Sequence, residues 1–158
     1  IYEAALNEYA PLGIEAAVTN TATVSGTGIT PVTATETVNA EAAPNLAITK
    51  SVSPVPVTEN GTLTYTFRIQ NYGSVAATNT TGVVITDTFA PVLNNLTAAL
   101  NGTAWTAATD YTYNEATGTF SSTAGAITVP AATYTQDSTT GAWVVTPGES
   151  TLVITGTV

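Results

Sequence analysis

Cysteine, methionine and histidine are all absent from this chain, and only Lys50 and Arg68 carry positive charge. Each absence narrows the reading. Without cysteine there are no disulfides and no thiolate metal sites, and such a chain suits an oxidising setting. Without histidine the usual general base is missing. There is also no nucleophile elbow, phosphate-binding loop or metal-ligand cluster, so no enzyme activity, metal or cofactor is expected. Eleven acidic residues against two basic ones give a net charge of −9. Nucleic acids and anionic membrane surfaces need a cationic face, so neither is an expected partner. No apolar run is long enough to cross a bilayer as a helix, and no signal peptide is visible. The first residue is Ile1 rather than methionine, which leads us to expect a processed or truncated product.

What is present points to strands. The 158 residues suit one domain, or one domain with an extension, and can bury a core. Hydrophobic residues make up 44%, too many for a disordered polymer. Threonine occurs 35 times and, with valine, dominates the short apolar runs. These β-branched side chains pack well on a pleated surface. Twelve glycines and eight prolines punctuate the runs, so an all-β fold of eight to ten short strands is expected.

Period-two alternation places the strands. Residues 16–24 put Val18, Asn20, Ala22 and Val24 on one face, and residues 31–38 do the same for Val32, Ala34, Glu36 and Val38. A turn at residues 25–28 separates them, and residues 40–44 look like a linker. Leu46, Ile48 and Lys50 then share a face, and Pro54 and Pro56 interrupt the run. After the Asn60-Gly61 turn, Leu63, Tyr65, Phe67 and Ile69 point one way while Thr64, Thr66, Arg68 and Gln70 point the other, as in a sheet with one wet face. Val83, Ile85 and Asp87 share a further face. A hairpin is expected from Tyr111 to Phe120, and strands at residues 126–129, 142–145 and 151–158. This pattern predicts a β-sandwich. Asn60, Asn79, Asn95 and Asn101 each begin an Asn-X-Thr sequon, which chance supplies readily in so threonine-rich a chain, and Asn60-Gly and Asn101-Gly read better as turns.

The strings Leu46-Ala-Ile-Thr-Lys50, Leu63-Thr-Tyr-Thr-Phe-Arg-Ile-Gln-Asn-Tyr-Gly73 and Ile85-Thr-Asp-Thr-Phe89 resemble the conserved-repeat family of bacterial and archaeal surface proteins, catalogued as domain of unknown function eleven. The resemblance runs in order through residues 45–158. It implies an Ig-like β-sandwich of the kind stacked in stalks, pili and surface layers, and hence an extracellular or cell-surface location. A family repeat continues past a segment like Pro147–Val158 into a strand of the form Thr-Asn-Thr-Ala-Thr-Val. Here that string stands upstream, as Thr19–Val24, and residues 1–10 look like the end of a preceding repeat. The chain therefore divides into an extension, residues 1–44, and a sandwich, residues 45–158.

Three readings of the displaced strand follow. Residues 16–38 could complete their own domain, complete the next copy, or belong to an arbitrary fragment. Exchange between copies makes the chain its own partner, in a head-to-tail filament, pilus-like fibre or surface layer. The donor would be Val18, Asn20, Ala22, Val24, Val32 and Val38, and the acceptor core Leu63, Tyr65, Phe67, Ile69, Leu152 and Ile154. Three polar residues fall on faces assigned to the core: Lys50, Asp87 and Asn20. Buried polar groups should meet one another, because an unpaired charge in an apolar setting costs several kcal/mol or more. An amine, a carboxamide and a carboxyl are also the set needed for an autocatalytic isopeptide bond. The plainer alternatives are a Lys50–Asp87 ion pair capped by Asn20, or residues at strand ends facing solvent. A different functional reading is a monomeric carbohydrate-binding or adhesin module, whose glycan would stack on Trp105, Trp143, Tyr111, Tyr113 and Tyr134. Aromatic residues in a small sandwich more often fill the core.

Overall fold

The structure is a computed structural model and describes residues 17–39 and 42–158. The first ten residues, residue 16 of the expected donor strand and residues 40 and 41 of the expected linker lie outside the described residues, as do the side chains of Val18 and Val38. The described residues form antiparallel strands, with one short 3-10 turn among them at Asn79–Thr81.

Strands β1 (Ala17–Gly26) and β2 (Ile29–Asn39) form a hairpin ribbon. β3 (Leu46–Ser53) follows and ends ahead of Pro54; β4 (Thr62–Asn71) returns alongside it. β5 (Thr86–Thr88), β6 (Asn94–Leu100), β7 (Thr103–Ala104), β8 (Tyr111–Asn114) and β9 (Thr119–Ser122) come next. β10 (Thr133–Gln136) and β11 (Trp143–Thr146) make a second ribbon, and β12 (Gly148–Thr157) closes the series. The larger sheet has the order β3-β4-β12-β6-β7, the smaller one β5-β9-β8.

The two sheets pack through one core, which makes a β-sandwich. Leu63, Tyr65, Phe67 and Ile69 of β4 and Leu152 and Ile154 of β12 are buried, as the alternation required. They meet Ile85, Phe89, Tyr111 and Phe120 from the other side. Tyr65 lies against Phe89 at 4.7 Å between ring centroids, and Tyr111 stacks on Phe120 at 5.3 Å. Outward positions of β4 are polar, as are those of β12 apart from Val153, and Arg68 meets Glu149 there at 2.6 Å.

Two expectations need correction. Residues 126–129 form no strand: Val129 makes only an isolated bridge to Ala77. Ile127 and Val129 are fully buried, and the segment caps the core after a turn at Gly125 rather than joining a ladder. The strand count also rises to twelve among the described residues, because β5 and β7 are too short to show a clear alternation.

The segment leading into β3 is tied by one buried side chain. Asn71, at the end of β4, is fully buried. Its Oδ1 accepts from the backbone N–H groups of Asn45 and Gly73, both at 2.9 Å. Its Nδ2 donates to the carbonyls of Val75 at 2.8 Å and Pro130 at 3.0 Å. All four hydrogen-bonding positions of the amide are used. The surrounding backbone is so close that a Cβ on Gly73 would collide with the Ala43 carbonyl, and one on Gly148 with the Pro130 carbonyl. Asn71→Ala would leave these backbone groups without partners in a dry site, each worth about 1–3 kcal/mol. We expect a loss of at least about 3 kcal/mol in urea-melt stability, with Leu46–Ser53 the first segment to lose amide-exchange protection.

Candidate functional site

One side of the sandwich is closed and the other is open. On the closed side Trp105 follows β7 and stacks on Tyr111 of β8 at 6.5 Å, joining the two sheets. On the open side the edges are β3 and β5. Among the described residues β3 pairs only with β4, and β5 only with β9. Leu46, Ile48, Lys50 and Val52 are in register with the inward residues Asn71, Ile69, Phe67 and Tyr65, so they belong to the inner face. Yet every residue of β3 is exposed, Ile48 to 52%. The alternation therefore assigns the face correctly, and burial fails because none of the described residues lies over it. Between β3 and the segment Val83–Ile85 runs an apolar cleft of about 180 Å³, floored by Ile69.

Lys50 and Asp87 stand at this opening and form an ion pair from one sheet to the other. The Lys50 ammonium also lies over the rings of Tyr65 at 4.8 Å, Phe89 at 5.3 Å and Phe67 at 5.5 Å, within cation–π range. Its inner side is thus walled by aromatic carbon and its outer side faces the gap. The Asp87 side chain is the less exposed of the two, at 19% against 40%. Its second oxygen, Oδ1, accepts from the Thr88 backbone N–H at 2.9 Å, which fixes the carboxylate.

Asn20 is not brought to this pair. It lies on the β1–β2 ribbon opposite Glu36, followed on its face by Ala22 opposite Ala34 and Val24 opposite Val32. The other face is hydroxylic: Thr19 bonds Thr37 at 3.1 Å and Thr21 bonds Thr35 at 3.0 Å. Residues 19–37 are all exposed, Val24 to 67% and Val32 to 64%. The described ribbon pairs with nothing but itself, so it does not complete its own sandwich here.

The aromatic residues named for a sugar platform are split between places. Trp105, Tyr111 and Tyr113 pack on the core, and the Tyr113 hydroxyl is held by the Leu93 backbone. Tyr134 and Trp143 sit on the β10–β11 ribbon, where the Tyr134 hydroxyl donates to the Tyr72 carbonyl at 2.6 Å. A wider depression of about 660 Å³ opens beside Tyr111 and Tyr113, with Glu115 as the charged group on its wall. Asn60 and Asn101 adopt positive φ, as expected of turn residues rather than of a modification pattern. Among the described residues no cluster of potential metal ligands occurs, and no helix is long and apolar enough to cross a membrane. Sequence reasoning missed the Thr88 amide that orients Asp87 and the three-ring wall around Lys50, since neither leaves a spacing signal.

The second cation is structural. The Arg68 guanidinium holds the Glu149 carboxyl below its ordinary value, first through their hydrogen bond, and Glu149 raises Arg68 in turn. Asp137 is likewise lowered, by the backbone N–H groups of Thr140 and Thr139 in the β10–β11 turn. Carboxyls lowered on folding favour the folded chain above their unfolded values, and the benefit is lost as pH falls through the lowered ones. Both are solvent-exposed, so the effect should be small. NMR titration should show both carboxyls titrating below the ordinary values of 3.8 for Asp and 4.5 for Glu. Glu149→Gln should return Arg68 to its ordinary behaviour and flatten the acid limb of the stability curve.

Comparison of the chain with known protein families, with curated proteins and with solved structures finds no match.

Proposed function

We propose that this chain is a structural module of an extracellular filament, fibre or surface layer, joined head to tail by strand complementation. Each sandwich accepts the β1–β2 ribbon of another copy along its open side. One observation carries the reading: among the described residues, the same chain holds an inner sheet face with nothing over it and a two-faced ribbon with nothing under it. A two-stranded ribbon is only marginally stable alone in water, so this one needs a partner. An open sheet edge is an aggregation hazard unless it is filled. Head-to-tail filling of a non-self-complementary groove produces an open chain of subunits rather than a closed pair.

Magnitudes support the pairing. Leu46, Ile48, Val52 and Val84 on the cleft side and Val24, Ile29 and Val32 on the ribbon are each between about two-fifths and two-thirds exposed. Completing their burial is worth about 1 kcal/mol apiece, or about 7 kcal/mol together. New ladder hydrogen bonds along β3 or β5 add about 0.5–1.5 kcal/mol each. Association costs about 4–15 kcal/mol, so gain and cost are of the same order and the assembly would be a weak one. The low charge density and the hydroxyl-lined outer faces suit a module meant to stack, and the resemblance of residues 45–158 to repeats of surface proteins points the same way.

The full chain should form concentration-dependent oligomers in size-exclusion chromatography with light scattering, and linear assemblies in negative stain. Val24→Asp with Val32→Asp should abolish them while leaving the thermal unfolding of the sandwich unchanged. A wild-type chain that stays monomeric at high concentration overturns the reading.

A further inference from the structure

We infer that Lys50 and Asp87 are a covalent joining site, at which the Asn20 carboxamide of a second copy is linked to the Lys50 amine as an isopeptide bond. The inference rests on the strand-complementation reading and assigns a chemistry to its groove. The groove and the ribbon match by pattern. Along β3 the inner positions read Leu46, Ile48, Lys50, Val52, apolar except at Lys50. Along β1 they read Asn20, Ala22, Val24, apolar except at Asn20. A strand set beside β3 with Asn20 level with Lys50 places apolar positions against apolar positions on the described side, and brings the two polar ones together. A one-residue slip would instead turn the threonine face inward, so the register is strongly specified. The second copy is the occupant because the described ribbon of the chain itself is exposed and paired only with its own two strands.

The surroundings suit the reaction. The Lys50 nitrogen is hydrogen-bonded to Asp87 and lies over the rings of Tyr65, Phe67 and Phe89, while the side chain keeps 40% of its surface exposed. Covering the groove removes water from the pair. In that dry site the ammonium gives a proton to the Asp87 carboxylate, leaving a neutral amine and a neutral acid. The amine attacks Cγ of Asn20, and the Asp87 acid donates a hydrogen bond to Oδ1 as charge develops there. A proton leaves the attacking nitrogen and reaches Nδ2, with Asp87 relaying it. The Cγ–Nδ2 bond then breaks and ammonia departs. One amide is exchanged for another, no electron is transferred, and Asp87 ends as the acid until it meets solvent. Asp87 is the catalytic residue, and the Thr88 amide on its Oδ1 is the positioning group. Glu36, paired with Asn20 on the ribbon, would arrive beside the same site.

The test uses the full chain, assembled at high concentration and then boiled in denaturant. Wild type should give a ladder of covalent multimers, with a loss of one ammonia per bond in intact mass, and tandem mass spectrometry should find Lys50 joined to Asn20. Lys50→Arg, which keeps the cation, and Asn20→Ala should each remove the ladder without preventing reversible assembly. Mixing those two variants should restore a single covalent dimer, since one retains the amine and the other the carboxamide. Asp87→Ala should slow bond formation by at least 100-fold. Glu36→Gln should leave the ladder in place. Assemblies that dissolve to monomers of unchanged mass would overturn the covalent site and leave complementation standing. Ammonia loss confined to monomers would show closure within one chain and overturn the assignment to a second copy. Chains that never assemble overturn both.

Discussion

The Asn71 carboxamide is the interaction on which the working geometry depends. It joins the start of β3, the turn after β4 and the segment at Pro130 through four hydrogen bonds made by a fully buried side chain. Among the described residues β3 has a neighbour on one side only, so little else there fixes where it begins. Asn45 is held at both ends of its peptide group, its N–H by the Asn71 side chain and its carbonyl by the Tyr72 N–H. From that fixed point the strand runs five residues to Lys50. A slip of one residue there would turn Lys50 outward and dissolve its pairing with Asp87. A structural amide thus sets the position of a functional amine.

Much of this was legible from residue order. Leu63, Tyr65, Phe67 and Ile69 declare a half-buried strand because their alternation is unbroken, and all four are buried. The cost of a buried unpaired charge pairs Lys50 with Asp87; the structure brings the two together at a partly exposed site rather than a buried one, and without Asn20. Other features were not legible for definite reasons. β5 spans three residues, too few for any period to show. The segment around Ile127 is apolar like a strand but is buried as a plug, and periodicity cannot tell those states apart. The exposure of Leu46, Ile48 and Val52 was hidden as well. Alternation reports which face a residue is on, and what covers that face depends on distant parts of the fold or on another molecule.

That gap between face and burial separates the two cations. Arg68 and Glu149 meet on the wet face, where solvent screens them and the pair contributes little. Lys50 and Asp87 meet at the mouth of the core, over three rings, where any strand that closes the cleft also removes their water. Closing the cleft strengthens the attraction between the two charges and raises the cost of keeping them. An ion pair left half open in this way is a poor source of stability for a lone chain. It acquires a use once a strand arrives with a group that can consume the charge.

The charge balance bears on why such a device would be favoured. Each chain carries −9, so in the proposed assembly successive subunits would repel one another, most strongly where Glu36 would approach a neighbour that already bears Asp87. Screening at physiological salt limits the reach of this repulsion to about 8 Å, so contacts across the groove still feel it. The apolar gain of about 7 kcal/mol and an association cost of similar size leave a thin margin for an object under mechanical load. Enlarging the apolar surface would widen the margin but would make each unassembled chain more prone to aggregate, since the exposed ribbon and the open edge are already its exposed liabilities. A bond formed only after correct register separates the two demands. In the proposed assembly recognition could remain weak and selective, while permanence would come from Lys50 and Asn20 meeting at the one polar level in an otherwise apolar seam.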